Sequence, residues 1–277
     1  MTDKTKYSYF NQSYSIEYKY APHSGPIPPH THNAVEFYLN MTDMPYMLFG
    51  TTIMPIPKNT LIIFPEYCVH SLRSYRGEAY KRFVLTVNST LLLSILGENY
   101  AHYNYLKDYS SPVMISLDDE TLNTLFESML RLENAQSELP FRQAAMLFET
   151  LSLIDSLVAP NAQHIPHKDN LSVLNQTVNK IIEYINEHLY EGIQVKQIAA
   201  QFYLSPDYTS KIFKRYTGTT ISNFITVQRI ANAKRMLSEG MSVSEVQQRT
   251  GYSSYSYFFR TFKKTAGMTP SEFAAQK

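Results

Sequence analysis

Four side chains in the N-terminal part of the chain have types and spacings that could do chemistry. In PHTHNAVEF, beginning at Pro29, His30, His32 and Glu36 occupy even positions, which an extended strand would point to one face. His70 follows in FPEYCVH, five residues after Pro65, on what should be a neighbouring strand. Three imidazoles and a carboxylate are donors of the kind that hold a divalent cation. Facing into a barrel with Tyr38, Phe64 and Tyr67, the same groups could instead bind a small organic effector, since polar and aromatic linings commonly hold sugars. Hydrogen-bonded barrel-lining histidines account for them without a metal. The expectation is a polar and aromatic pocket with no metal, no cofactor and no catalytic residue.

A second set lies in a repeat near the other end. VKQIAAQFYLSPDYTSKIFKRYTG starts at Val195 and VSEVQQRTGYSSYSYFFRTFKKTAG at Val243. Each copy reads as a short helix, a tight turn and a second helix ending in Phe-basic-basic, the helix-turn-helix pattern. The second helix of such a unit buries one face and offers the other to the major groove. At helical spacing, Phe258 and Phe262 share a face with Tyr252 beneath them, and these are expected in the core with Tyr257 at its margin. Tyr255, Ser256, Phe259 and Arg260 lie on the opposite side, Arg260 suited to bidentate bonding with guanine. In the first copy Ile212, Phe213 and Tyr216 should be buried, while Asp207, Ser210 and Lys211 should face the bases. Ser205, Lys214, Arg215, Lys263 and Lys264 are assigned to phosphates. Between the copies, residues 220–237 read as one helix, a rigid spacer of roughly 25 Å.

The elements that must position these groups follow from hydrophobic period. VEFYLN, YMLFGTTI, TLIIFP and RFVLTVN are β-branched and aromatic runs separated by turn residues, which indicates an all-β sandwich or barrel. The period then becomes helical. Leu122, Leu125, Phe126, Met129 and Leu132 form one stripe after a capping Asp118, and Leu147, Phe148, Leu151, Ile154 and Val158 form another. This helical pair could pack on the β unit or form a dimer interface. APNAQHIPHKDN has no apolar period and reads as a linker. Expected helices follow at 174–189, 195–201, 206–216, 220–238, 243–249, 254–265 and from 270. The domains expected are therefore a barrel at 1–112, a helical hairpin for dimerisation at 113–160, a linker at 161–172 and a double helix-turn-helix domain at 173–277.

Charge supports this division. Residues 1–170 hold 12 Lys+Arg against 17 Asp+Glu, whereas residues 171–277 hold 13 against 7, so the back part is the one fitted to a polyanion. The single cysteine, Cys68, excludes an internal disulfide and a Cys-rich zinc site. No run of eighteen apolar residues occurs and the N-terminus lacks a secretory pattern, so a cytoplasmic location without membrane contact is expected.

Residues 180–274 resemble the DNA-binding domain of the AraC/XylS family of bacterial transcription regulators, through RIANAKRML, VSEVQQRTGYSSYSYFFRTFKK and GMTPSEF. Gln247 departs from the pattern where the family carries a small Ala, which should loosen packing locally. The His30-x-His32-x-x-x-Glu36 spacing and the Pro65-to-His70 spacing resemble the cupin barrel, although Asp43, Asn59 and Tyr67 stand where that pattern has Gly. The resemblance implies a cupin-like effector-sensing barrel plus a helical pair, followed by an all-α double helix-turn-helix domain. It further implies a homodimeric activator that binds double-stranded DNA, answers to a small molecule such as a sugar and contacts RNA polymerase. Two alternatives remain at this point, a metal-dependent cupin enzyme fused to a DNA-binding domain and an effector-independent regulator.

Overall fold

Alternation of side chains along the strands decides how the N-terminal unit is layered. A computed structural model describes residues 13–22, 27–50, 52–73, 79–103, 106, 113–135, 140–161 and 173–275. The expected linker lies outside the described residues except for Asn161, which ends a helix. Strands β1 (Tyr14–Pro22), β2 (Ile27–His30), β3 (Val35–Asn40), β4 (Met44–Phe49), β5 (Thr52–Ile56), β6 (Thr60–Phe64), β7 (His70–Arg73), β8 (Ala79–Val87) and β9 (Val113–Ser116) form two antiparallel sheets. The order is β1-β8-β3-β6-β9 in one and β2-β7-β4-β5 in the other. Val113–Ser116, expected to open the helical hairpin, is thus an edge strand paired with β6.

On β3, Val35, Phe37 and Leu39 join one core cluster while Tyr38 joins another, as the period of two requires. The inner cluster fills the space between the sheets with Tyr38, Met47, Phe49, Phe64 and Tyr80. The outer face of the five-stranded sheet is covered by helices. After β8 comes α1 (Ser89–Leu96), which the hydrophobic period did not anticipate; Asn88 starts it by accepting from the Thr90 amide at 2.8 Å. Helices α2 (Asp119–Asn134) and α3 (Pro140–Asn161) then lie over the sheet. Asp118 caps α2 as expected, accepting from the Thr121 amide at 2.8 Å.

The expected apolar stripes settle on that sheet. Leu125, Met129, Leu132, Leu147, Ile154 and Val158 are all buried against Phe37, Leu39, Phe83 and Leu85. These six side chains are core. Phe148 departs from its expected stripe and is 45% exposed, on the side of α3 turned away from α2 and the sheet.

The C-terminal unit forms as its caps dictate. Its helices are α4 (Val173–Glu187), α5 (Val195–Gln201), α6 (Pro206–Thr217), α7 (Ile221–Ser238), α8 (Val243–Arg249), α9 (Tyr255–Ala266) and α10 (Pro270–Ala274). Ser205 accepts from the Tyr208 amide ahead of Pro206, and Ser254 accepts from the Tyr257 amide. Ser242 with Glu245 and Thr269 with Glu272 form reciprocal capping boxes. In the turn before α9, Gly251 has φ +72, and a Cβ there would sit 2.6 Å from the Tyr190 carbonyl oxygen. Only glycine fits that approach. Arg229 of α7 ties the same corner, its Nε donating to the Leu189 carbonyl at 2.8 Å and an Nη to that of Gly251 at 2.9 Å.

The second sheet turns its outer face to this helical unit. Leu48, Ile53 and Val69 share a core cluster with Val178, Ile181 and Ile182 of α4. Asn179, buried beside them, clasps the Ile53 backbone: its Oδ1 accepts from the amide at 2.7 Å and its Nδ2 donates to the carbonyl at 3.1 Å. Gln228 donates to the Gly50 carbonyl at 2.9 Å, and the Ser71 hydroxyl to the Thr217 carbonyl at 3.3 Å.

Candidate nucleic-acid interface and effector site

Each helix-turn-helix unit divides into a buried and an open face. On α6, Ile212, Phe213 and Tyr216 are buried while Asp207, Ser210, Lys211, Lys214 and Arg215 are exposed. Lys211 and Asp207 pair at 2.7 Å, with about three quarters of each side chain exposed. Such a surface pair is worth under about 1 kcal/mol and opens readily. The Ser210 hydroxyl donates to the Pro206 carbonyl at 2.8 Å, which leaves its oxygen lone pairs facing out. Ser205 is occupied as the cap of α6.

Tyr252 in the turn before α9 and Phe258 and Phe262 on α9 are core, the last two fully buried and 5.8 Å apart between ring centroids. Tyr255, Ser256, Arg260, Lys263 and Lys264 are exposed and Phe259 is half-buried, with Tyr255 and Phe259 rings 6.4 Å apart. Arg260 is held loosely along its helix, its Nε 3.4 Å from the Ser256 carbonyl. Tyr257 sits at the core margin, 52% exposed and about 100° round the helix from Phe258, with its ring leaning on the buried Tyr252 at 5.7 Å and its other side open. Gln247 does not loosen the fold, since its side-chain amide donates to the Tyr252 carbonyl and fastens α8 to the turn. One residue of the open face was missed. Tyr203 occupies the turn of the first unit at φ +55, matching Gly251 in the second, and its side chain is 98% exposed.

The barrel cluster is assembled differently from its sequence spacing. His30 ends β2, His32 lies in the connection at 31–34, and Glu36 is in β3 of the opposite sheet, so the three do not share one strand. They meet because His30 pairs in register with His70 of β7 and Glu36 faces across the gap. Ring centroids are 4.4 Å apart for His30 and His70 and 4.9 Å for His30 and His32. The Glu36 Oε2 lies 3.1 Å from the His32 Nε2 and 3.7 Å from the His70 Nε2. Burial pushes the Glu36 carboxyl up, but the His70 and His32 rings outweigh it and hold the group well below the usual carboxylate range. Burial lowers His70 to about 3, against the pull of Glu36, and lowers His30 as well. His70 is therefore neutral at pH 7. The Nδ1 of His30 contacts the Pro28 carbonyl at 2.8 Å and that of His70 the Cys68 carbonyl at 3.1 Å. A carbonyl needs a donor, so in the neutral rings Nδ1 carries the proton and Nε2 the lone pair. One ligand atom from each of His30, His32 and His70 lies within 4.8 Å of the others.

Phe64 packs on this cluster, its ring 4.2 Å from His70, and Tyr38 lies next to it at 6.1 Å. Tyr67 does not enter the pocket. At φ +62 its side chain swings outward, packing on Ile230, Ala233, Leu237 and Phe273 of the helical unit, while its hydroxyl donates to Asn33 and its amide to the His32 carbonyl. The left-handed backbone fits a position where the cupin pattern carries Gly.

Two helix-turn-helix units strapped to one long helix, joined to an antiparallel β-barrel, define a DNA-binding domain with a second domain in front. A family model described as a helix-turn-helix domain matches residues 198–276. Regulatory protein PocR of Salmonella typhimurium is 32% identical over 100 residues, covering 36% of this chain and 33% of that protein. The arabinose operon regulatory protein of Escherichia coli is 33% identical over 134 residues, 48% of this chain and 44% of its own. This chain thus spans less than half the length of either relative. ToxT of Vibrio cholerae aligns over 95% of this chain and 98% of its own with a TM-score of 0.40 and 15% identity. The C-terminal unit is a helix-turn-helix domain.

Proposed function

We propose that the chain is a sequence-specific DNA-binding transcription regulator whose barrel senses a small effector. The observation that carries this reading is the repeated face. Asp207, Ser210 and Lys211 on α6, and Tyr255, Ser256 and Arg260 on α9, stand outward on helices whose other sides are buried. Lys214, Arg215, Lys263 and Lys264 end those helices as exposed cations suited to phosphates. Helix α7, of 18 residues and about 27 Å, spaces the units on the scale of one DNA turn, roughly 34 Å. The two units then read consecutive major-groove segments. Selection from a randomised duplex library tests this: one enriched motif supports it, and recovery of random sequence at equal affinity ends it.

The sensing arm of the reading rests on the barrel cluster and on its connection to the helical unit. In residues 67–71, Cys68 and His70 face the inter-sheet interior, whereas Tyr67, Val69 and Ser71 contact the helices. An effector that moves His70 therefore moves the interface directly, and it shifts the DNA-binding unit only by binding one arrangement better than the other. In this reading the effector is a small polar molecule such as a sugar, the regulator acts as a homodimeric activator, and RNA polymerase is its partner at the promoter. The name of the arabinose operon relative is consistent with a sugar.

A second reading is favoured by the two Nε2 lone pairs that converge from His30 and His70. With His32 and Glu36 they could hold a divalent cation, the backbone carbonyls on Nδ1 fixing each ring. Metal analysis of purified protein checks it. Stoichiometric zinc, iron or manganese lost in the His30→Ala, His70→Ala double variant supports a metal, and metal-free protein that still binds its effector removes it.

A further inference from the structure

Arg82 is the buried group that neither the DNA face nor the histidine cluster uses. It lies on the inward side of β8 with Tyr80 and Val84 and is 5% exposed. Its guanidinium sits 4.7 Å from the Tyr80 ring centroid and 5.7 Å from that of Tyr38. Among the described residues it makes no ion pair, and the buried carboxylate of this interior, Glu36, lies against His32 instead. Its Nε is fully buried without a hydrogen-bond partner.

The residue opposite repeats the pattern. Asn40 pairs in register with Arg82 across β3 and β8 and is fully buried. Its Nδ2 donates to the Thr42 and Pro57 carbonyls at 2.7 and 2.8 Å, yet its Oδ1 has no partner. A donor and an acceptor left unmatched on adjoining strands point into one interior.

A guanidinium stays charged at any working pH, and burying it among Met and aromatic side chains without a counter-anion, the Tyr80 hydroxyl being its polar neighbour, is only partly offset by that neighbour and by cation–π contacts. The complement that offsets the rest is an anion, and the fork formed by Nε and one Nη matches a carboxylate in two parallel bonds. Glu36 lies four residues along β3 from Asn40, roughly 13 Å by strand rise. The anionic end of a ligand therefore belongs at Arg82, and its hydroxyl groups belong at Glu36 and the histidines. Along β3, Glu36, Tyr38 and Asn40 alternate with the outward Val35, Phe37 and Leu39, and Arg82 pairs beside Asn40, so the two ends face one interior.

The geometry points to a hydroxylated carboxylic acid, of the sugar-acid class, as the effector, with Arg82 as its carboxylate anchor and Asn40 Oδ1 accepting a hydroxyl beside it. This deepens the proposed sensing role and rests on it. The experiment is calorimetry on the full chain with D-galacturonate and D-gluconate, their neutral parents D-galactose and D-glucose, and the 6-phosphates of both sugars. The acids should bind about 10- to 100-fold more tightly than the neutral parents. Arg82→Met should remove that preference while keeping or raising the thermal midpoint, since an unpaired buried charge is lost, and Arg82→Lys should retain part of it. Equal binding of acids and neutral sugars overturns the carboxylate assignment and leaves sensing intact. Tighter binding of the phosphates overturns it too. A marked fall in midpoint for both variants, with the acid preference unchanged in Arg82→Lys, shows Arg82 to be a structural group. Binding of no compound in the panel overturns both this inference and the sensing role.

Discussion

At the scale of single residues, α9 shows how one helix serves two environments. Phe262 is fully buried against Phe258 and Phe273, so Phe262→Ala should destabilise by about 3–5 kcal/mol in denaturant titration. Tyr257, half exposed one position before Phe258, should cost far less when truncated. Arg260→Ala should weaken the preferred site by about 1–3 kcal/mol and relax one position of its motif, whereas Lys264→Ala should weaken all sequences alike and flatten the salt dependence. Equal losses on preferred and random duplex for both variants would show the faces to be misassigned. The buried aromatics were readable because their four-residue spacing fixes a helix face. Tyr257 was readable as a margin residue but not in how far it stands out, since a ring 100° from the core can fold back or extend, and neighbours decide. Arg82 was hidden for the opposite reason. A cation in RFVLTVN reads as a solvent-side residue until the second sheet is seen to cover it.

At the scale of elements, local chemistry wrote the C-terminal unit plainly. All the expected helices occur there with ends shifted by a residue or two, because Ser205-Pro206, Ser242 with Glu245 and Thr269-Pro270 act within one turn. Gly251→Ala should therefore destabilise by more than the ordinary 1–2 kcal/mol of a left-handed substitution, because its Cβ would also meet backbone; thermal unfolding checks this. Ser254→Ala should cost about 1 kcal/mol as a lost cap. The barrel was legible only as strands. That His30 and Glu36 lie on strands of different sheets, with His32 in the connection between them, follows from the chain crossing between sheets at 31–34, a tertiary event that even spacing does not record. The outward turn of Tyr67 depends on its positive φ, which a tyrosine does not advertise.

At the scale of the whole molecule, barrel and helical unit share a core, and this was the least legible feature. Asn179 and Gln228 read as ordinary helix-surface polar residues, but both are buried with their amides on backbone groups of the second sheet. Asn179→Ala leaves the buried Ile53 amide and carbonyl unpaired, a cost of about 1–3 kcal/mol at the interface. Calorimetry should then show one cooperative unfolding transition in the parent chain divide into two in the variant; a single transition of unchanged shape would show that the interface carries no coupling.

The central claim is that α6 and α9 read DNA together. Hydroxyl-radical footprinting with methylation interference on the selected duplex tests it most directly. The account predicts protection of two adjoining major-groove segments on one face, about one helical turn apart, with the segment read by α9 lost in Arg260→Ala. A single protected segment that survives Arg260→Ala unchanged would contradict it.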